Sequence, residues 1–210
     1  MCNKDFTEDK NMILDVYKIS FKKYGPCPMG ITWGTEKSQT DRFKVLTEIS
    51  DLTKSSILDF GCGMGDLYDY LSKNTDVDLD RYLGVDINDV LLEEAGKRYP
   101  KASFVLRDIL KDPFASDEKF DFVFASGVFA ISTPNWKDFT YQLLDELFRS
   151  CKKAMAINFL TTHSKTDTGS NYVDPCSIFK MACDRYSTKL VIRQDYKDND
   201  FTMYVYKVEL

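Results

Sequence analysis

The chain predicts an α/β fold: a doubly wound, mostly parallel sheet finished by an antiparallel hairpin at its C-terminal end. Three observations support this. Apolar runs of strand length alternate with segments of helical periodicity from residue 55 onward. The first run, residues 56–60, opens into Gly61-Cys62-Gly63-Met64-Gly65, and the second, residues 82–85, ends in Asp86, 21 residues beyond Gly65. Strand, glycine turn, helix, strand, acid is the layout of a nucleoside-binding βαβ unit. The last two runs, 190–193 and 201–208, are joined by Lys197-Asp198-Asn199-Asp200, a hairpin signal.

Each element has its own warrant. Residues 9–24 read as a helix, with Ile13, Val16, Tyr17, Phe21 and Tyr24 at helical spacing, Asp9 placed to cap it and Gly25 to end it. A glycine- and proline-rich loop, 25–30, follows. Residues 38–52 form a second helix with Val45, Ile49 and Leu52 on one face. The alternation then runs strand 56–60, helix 66–72, strand 82–85, and helix 88–99, stopped by Pro100. Strands 103–106 and 120–125, helix 135–150 and strand 154–159 complete it. The runs around Ile57 and Val123 are nearly continuous, as central parallel strands are. A helix starts after Asp174-Pro175 and ends at Tyr186. We read residues 1–210 as one domain, with 1–54 a helical lid region and 55–210 the α/β core.

Composition narrows the class. A chain of 210 residues buries about 70% of its unfolded surface and needs no staples. The net charge of −5 argues against a nucleic-acid partner, which wants a basic surface. The six cysteines (Cys2, Cys27, Cys62, Cys151, Cys176 and Cys183) form no C-x-x-C, and a single histidine is too few for a zinc site. No metal is expected. The thiols read as reduced, in a cytoplasmic protein with neither signal core nor transmembrane run.

The residues around the turn choose the ligand. A dinucleotide site places a small residue three after the second glycine, but here that position is Asp66. With Asp59 before the turn, a pyrophosphate would meet negative charge, at roughly 4 kcal/mol per close pair. A sulfonium reverses the sign, so Asp59 would face a cation. The ligand's carboxylate would use the turn amides and the helix N-terminus.

At Leu58-Asp59-Phe60-Gly61-Cys62-Gly63-Met64-Gly65 the chain resembles the class I S-adenosylmethionine-dependent methyltransferases. The resemblance continues at Gly84-Val85-Asp86-Ile87, Phe104–Asp108-Ile109 and Phe120–Ser126-Gly127, covering about residues 55–160. It implies a Rossmann-like fold, S-adenosyl-L-methionine as cofactor and S-adenosyl-L-homocysteine as product. Gly61, Cys62, Gly63 and Gly65 would carry the methionine part, and Asp86 the ribose hydroxyls. Ile87 would cover adenine, Asp108 would accept from its amino group and Ile109 would present a backbone amide. Ala125, Ser126 and Gly127 would leave room between sulfonium and acceptor. The segment Trp33…Gln39-Thr40-Asp41-Arg42 resembles the lid of a small bacterial and phage subset, with Arg42 on the cofactor carboxylate. A surface salt bridge from Arg42 to Glu36 or Asp41 is the alternative.

The acceptor is less legible. The end of strand 120–125 lacks the D/N-P-P-Y/F/W of enzymes that methylate DNA amines. A small-molecule acceptor is expected, with no nucleic-acid or membrane partner. His163 is the candidate base, and Tyr172, Asp174, Asp195 and Tyr196 are candidates for the acceptor side. The other readings are a protein methyltransferase and a non-catalytic, cofactor-binding accessory subunit.

Overall fold

The computed structural model describes residues 4–166 and 168–208; Cys2 lies outside them. The chain runs α1 (Thr7–Tyr24), a short 3-10 turn (Pro28–Ile31), α2 (Glu36–Thr47), β1 (Ile57–Phe60), α3 (Asp66–Asn74), β2 (Tyr82–Asp86) and α4 (Asp89–Arg98). It continues β3 (Ser103–Leu106), β4 (Phe120–Ala125), α5 (Trp136–Ser150), β5 (Cys151–Thr161), β6 (Tyr172–Val173), α6 (Pro175–Arg185), β7 (Leu190–Arg193) and β8 (Asp200–Tyr206). The sheet order is β3-β2-β1-β4-β5-β8-β7. β1 to β5 are parallel, and β8 runs antiparallel to both β5 and β7, which is the expected hairpin. Two-residue β6, parallel to the end of β5, has no periodic signal in the sequence.

Alternation along the central strands builds two cores. Leu58, Val123 and Met155 face α5 through Leu143, Leu144 and Leu147. Ile57, Phe122, Phe124 and Ala156 face the other way, toward Phe43 and Leu46 of α2 and Leu67 and Leu71 of α3. A period of two on strands buried on both faces is why these runs read as continuously apolar. The chain doubles back between β1 and β4, so their carboxyl ends diverge and leave a crevice.

The N-terminal elements need three corrections. Asp9 does not cap α1. It is fully buried in the first turn, where its carboxylate accepts from the Asn135 amide (2.9 Å) and Nδ2 (3.1 Å) and ties α1 to the start of α5. Phe6 occupies the N-cap position with no side-chain capping bond, and Asp5 just before it accepts from the Thr7 amide at 2.9 Å. α2 starts earlier than expected, because Thr35 caps it through the Ser38 amide, and it stops at Thr47. Ile49 and Leu52 still pack in the core from the following turn. Asn88 caps α4 through the Leu91 amide, which releases Asp86 from that duty. The five described cysteines are free thiols, and no helix among the described residues is long and apolar enough to cross a membrane.

Candidate active site

A cavity of about 750 Å³ lies at the carboxyl ends of β1, β2, β4 and β5. The glycine turn forms its floor. Gly61, Gly63 and Gly65 have φ of +70°, +54° and +80°, a region where a Cβ is strained. They do different work. A Cβ on Gly61 would meet Val128 at 2.5 Å, while one on Gly63 would meet nothing, so Gly63 is the open, ligand-facing position. Gly65 does not line the cavity; its missing side chain makes room for Phe104 and Tyr99, which a Cβ would meet at 2.8 and 2.9 Å. The third glycine therefore serves helix–strand packing.

The turn amides are already used. Gly61 and Cys62 donate to Val85 O at 2.7 and 3.1 Å, Gly65 donates to Cys62 O at 3.0 Å, and Gly63 donates to Asp86 Oδ2 at 2.9 Å. These four amides are engaged within the protein, and the part of the expected carboxylate site that rests on the helix N-terminus is untouched by them. Their function is to fix the turn and to aim Asp86, whose Oδ1 also accepts from the Asn88 amide at 2.9 Å.

Asp59, Asp86 and Cys62 crowd together beneath the cavity, and burial dominates all three. It pushes the Asp59 carboxyl up to about 7, against the hydrogen bond from Tyr82 Oη at 2.6 Å, with Asp86 and Asp66 adding to the rise. Burial also raises Asp86, against the amides of Gly63 and Asn88, and raises the Cys62 thiol. Asp66 is held by Gln39 Nε2 at 2.9 Å and by Arg98 at 3.2 Å. Its charge is thus partly compensated, and the case against a pyrophosphate rests mainly on Asp59.

The N-terminal segment covers the crevice. α1 contributes Lys10, Ile13, Val16 and Tyr17 to the lining, and residues 31–43 contribute Trp33, Gln39 and Arg42. Trp33 lies on Gly127, where a Cβ would meet the ring at 2.7 Å; the φ of +75° at Gly127 and that contact both require glycine. Asn158 anchors this corner, accepting from the Gly127 amide at 2.9 Å and donating to Ser126 Oγ at 3.1 Å. For Arg42 the surface-bridge alternative is corrected: it makes no bridge to Glu36 or Asp41, and the guanidinium has partners inside the protein. Its guanidinium bonds Asp200, donates to Ser38 O at 2.9 Å and Ser38 Oγ at 2.7 Å, and lies 4.8 Å from the Trp33 ring. Asp108 is likewise engaged, by Lys10 Nζ at 2.5 Å and by the Leu110 amide at 3.2 Å.

Of the expected cofactor residues, Ile87, Asp108, Ile109, Ser126 and Gly127 line the same cavity as Trp33, Arg42, Asp59, Gly61, Cys62, Gly63 and Asp86. Ala125 does not; it is wholly buried in the core. The candidates for base and acceptor contacts all fall elsewhere. β5 runs on to Thr161 and pairs with β6, which carries His163 onto an exposed turn away from the cavity. Tyr172 ties down its own loop, donating to Thr166 O at 3.0 Å. Asp174 caps α6, and Asp195 pairs with Arg193. Tyr196 stands behind the cavity wall, donating to Asp200 Oδ1 at 2.6 Å. His163→Ala is therefore expected to leave turnover within about twofold of wild type, as surface substitutions do; a loss of two decades in a steady-state assay would return it to the site.

Lys10, Tyr17, Asn158 and Asp200 are among the lining residues that the sequence reading did not assign to the site. Asn158 did leave a signal, as the only polar residue in the apolar run 154–159.

The comparisons agree with this geometry. A family profile described as a methyltransferase domain matches residues 57–154. The Mycobacterium tuberculosis protein named "Putative methyltransferase Rv1506c" is 30% identical over 165 residues, 72% of this chain and 93% of that protein. Among solved structures, the magnesium protoporphyrin IX methyltransferase of Synechocystis PCC 6803 with bound SAM is similar in fold, with a TM-score of 0.67 at 15% identity, over 95% of this chain and 97% of that one. A Haemonchus contortus phosphoethanolamine N-methyltransferase, complexed with phosphoethanolamine and S-adenosylhomocysteine, gives a TM-score of 0.67 at 14% identity, over 95% of this chain and 50% of that one.

Proposed function

The chain belongs to the class I S-adenosylmethionine-dependent methyltransferases, and from that premise we propose that it methylates a small molecule. The supporting observation is the shape of the cavity. One continuous space runs from the glycine turn to an apolar wall of Phe129, Ile131 and Trp136, with α1 and Trp33 across it. Its volume is within the usual range of small-ligand pockets. A macromolecular acceptor would have to present its reacting atom past α1.

The residues suit the cofactor. Gly63 offers open backbone, Asp86 a carboxylate aimed by two amides, and Ile87 and Ile109 apolar surface for a base. Trp33 and Arg42 close the methionine end, and Ser126 and Gly127 border the space left for the acceptor. When bound, S-adenosylmethionine supplies an electrophilic methyl group on a sulfonium. The protein's part is to align acceptor and methyl, exclude water and keep Asp59 beneath the positive charge.

Asp86→Ala is expected to weaken S-adenosylhomocysteine binding at least about tenfold, because charge-assisted hydrogen bonds contribute roughly 1.5–3 kcal/mol each. Calorimetry on the folded variant measures this, and unchanged affinity would remove Asp86 from the ribose. To test the acceptor, the purified chain is incubated with methyl-labelled S-adenosylmethionine and a cell extract, which is then split by ultrafiltration. Label is expected below the size cut-off. Label confined to macromolecules would favour a protein acceptor, and none at all would favour an accessory subunit.

A further inference from the structure

We propose, on the assignment of Asp86 to the ribose hydroxyls, that Tyr17 and Thr32 complete the ribose subsite, so that the sugar is held from α1 as well as from β2.

The helix lies along the adenosine half of the site. Lys10 bonds Asp108 at one end of it. Tyr17 follows seven residues later on the same face of α1, about 10 Å farther along the axis. Its ring packs on the cluster of Ile31, Met64 and Leu91. Met64 belongs to the glycine turn and Leu91 to the first turn of α4, the two segments whose amides aim Asp86. α1 thus sets Lys10 at the acid expected for the adenine amino group and Tyr17 at the acid expected for the ribose. Both side chains line the cavity. The charge of Asp86 reaches the Tyr17 hydroxyl, which burial and that charge push up to about 12, with the Thr32 side chain opposing the rise.

The chemistry of a sugar calls for such a group. A diol that donates both protons to a carboxylate keeps oxygen lone pairs that want donors. The amides of Gly63 and Asn88 already donate to Asp86, and Lys10 is held by Asp108. A hydroxyl that stays protonated supplies a donor from the opposite side. Thr32 carries the second observation. Its φ is +66°, a conformation that a β-branched residue rarely adopts. Its amide closes the 3-10 turn onto Met29 O at 3.1 Å, a contact that glycine would make without strain. What the strained backbone retains is the threonine side chain, which lines the cavity and acts on Tyr17. Thr32 is thereby a positioning residue for the Tyr17 hydroxyl.

Calorimetry with S-adenosylhomocysteine and its 2′,3′-dideoxy analogue tests this. Tyr17→Phe keeps the ring and removes the hydroxyl. It is expected to bind S-adenosylhomocysteine about fivefold more weakly, the scale of one neutral hydrogen bond, and to bind the dideoxy analogue as wild type does. An equal loss with both ligands would make Tyr17 a packing residue, and no loss with either would take it out of the subsite; both overturn the proposal. Thr32→Gly is expected to unfold no earlier than wild type in a thermal scan, yet to show the same loss confined to the ligand with hydroxyls. Unchanged affinity in that variant would overturn the part given to Thr32. Asp86→Ala separates this role from the assignment beneath it. Affinity lost there but kept in Tyr17→Phe overturns the Tyr17 role alone, whereas affinity kept in Asp86→Ala overturns the placing of the ribose itself.

Discussion

Arg42→Ala is expected to destabilise the protein by about 3–5 kcal/mol, the usual cost of removing one partner from a buried ion pair. For a chain of this length that is roughly 6–20 °C in unfolding midpoint. The cause is the carboxylate left behind. Asp200 is 2% exposed, and burial already pushes it up to about 6, against Arg42, the Tyr196 hydroxyl and Lys197. Without the guanidinium it loses its strongest partner, and Trp33 loses the cation resting on its ring. The double variant Arg42→Met/Asp200→Leu removes both charges together and is expected to recover most of the loss. Thermal unfolding of both proteins checks this. A single-variant loss under about 1 kcal/mol would mean that the pair behaves like a surface bridge.

The second large effect is a pH dependence centred on Asp59. Its carboxyl is raised from 3.8 to about 7. A raised acid favours the protonated, folded form, so no penalty exists below pH 3.8. The penalty grows as pH rises from there and is complete above about 7, where it reaches about 4 kcal/mol. Asp59→Asn should therefore match wild type near pH 4 and exceed it in stability at pH 8. Ligand binding inverts the balance. A sulfonium beside Asp59 favours the carboxylate, so S-adenosylmethionine binding near pH 7 is expected to release up to about half a proton. S-adenosylhomocysteine, lacking the sulfonium charge, should release less. Calorimetry in buffers of different ionisation enthalpy reads this directly. An Asp59→Asn variant with the same proton release would assign it to a neighbour, Asp86 or Asp66.

What the sequence made legible was local. A glycine turn between a strand and a helix is dictated by backbone sterics within a few residues, so Gly61 to Asp86 could be placed from spacing alone. The parallel strands followed because burial on both faces leaves a one-letter trace. The ion pairs did not follow. Lys10 meets Asp108 across 98 positions and Arg42 meets Asp200 across 158. Which acid a cation meets is decided by strand order and crossovers, and helical spacing carries no record of them. His163 shows the reverse error. Its chemistry suited a base, but two further residues of β5 and the pairing with β6 set its position. Asp200 was read as part of a hairpin turn; it is the first residue of β8 and lines the cavity.

The contacts of α2 with β8 bear on the order in which the molecule assembles during synthesis. Arg42 rests on Asp200, Tyr204 Oη donates to Val45 O, and Tyr206 Oη donates to Ile49 O at 3.1 Å. Residues 36–49 thus leave the ribosome early and wait for a strand made about 158 positions later. At typical elongation rates that is roughly 10–30 s. Once residue 125 is made, the glycine turn and β1, β2 and β4 have everything they need to pair, while Phe43, Val45 and Leu46 still have no β8 to pack against. The nascent chain therefore passes through a stage with a formed nucleoside crevice and an unseated apolar helix above it. That is the interval in which a chaperone, or the cofactor itself, has the most to offer this fold.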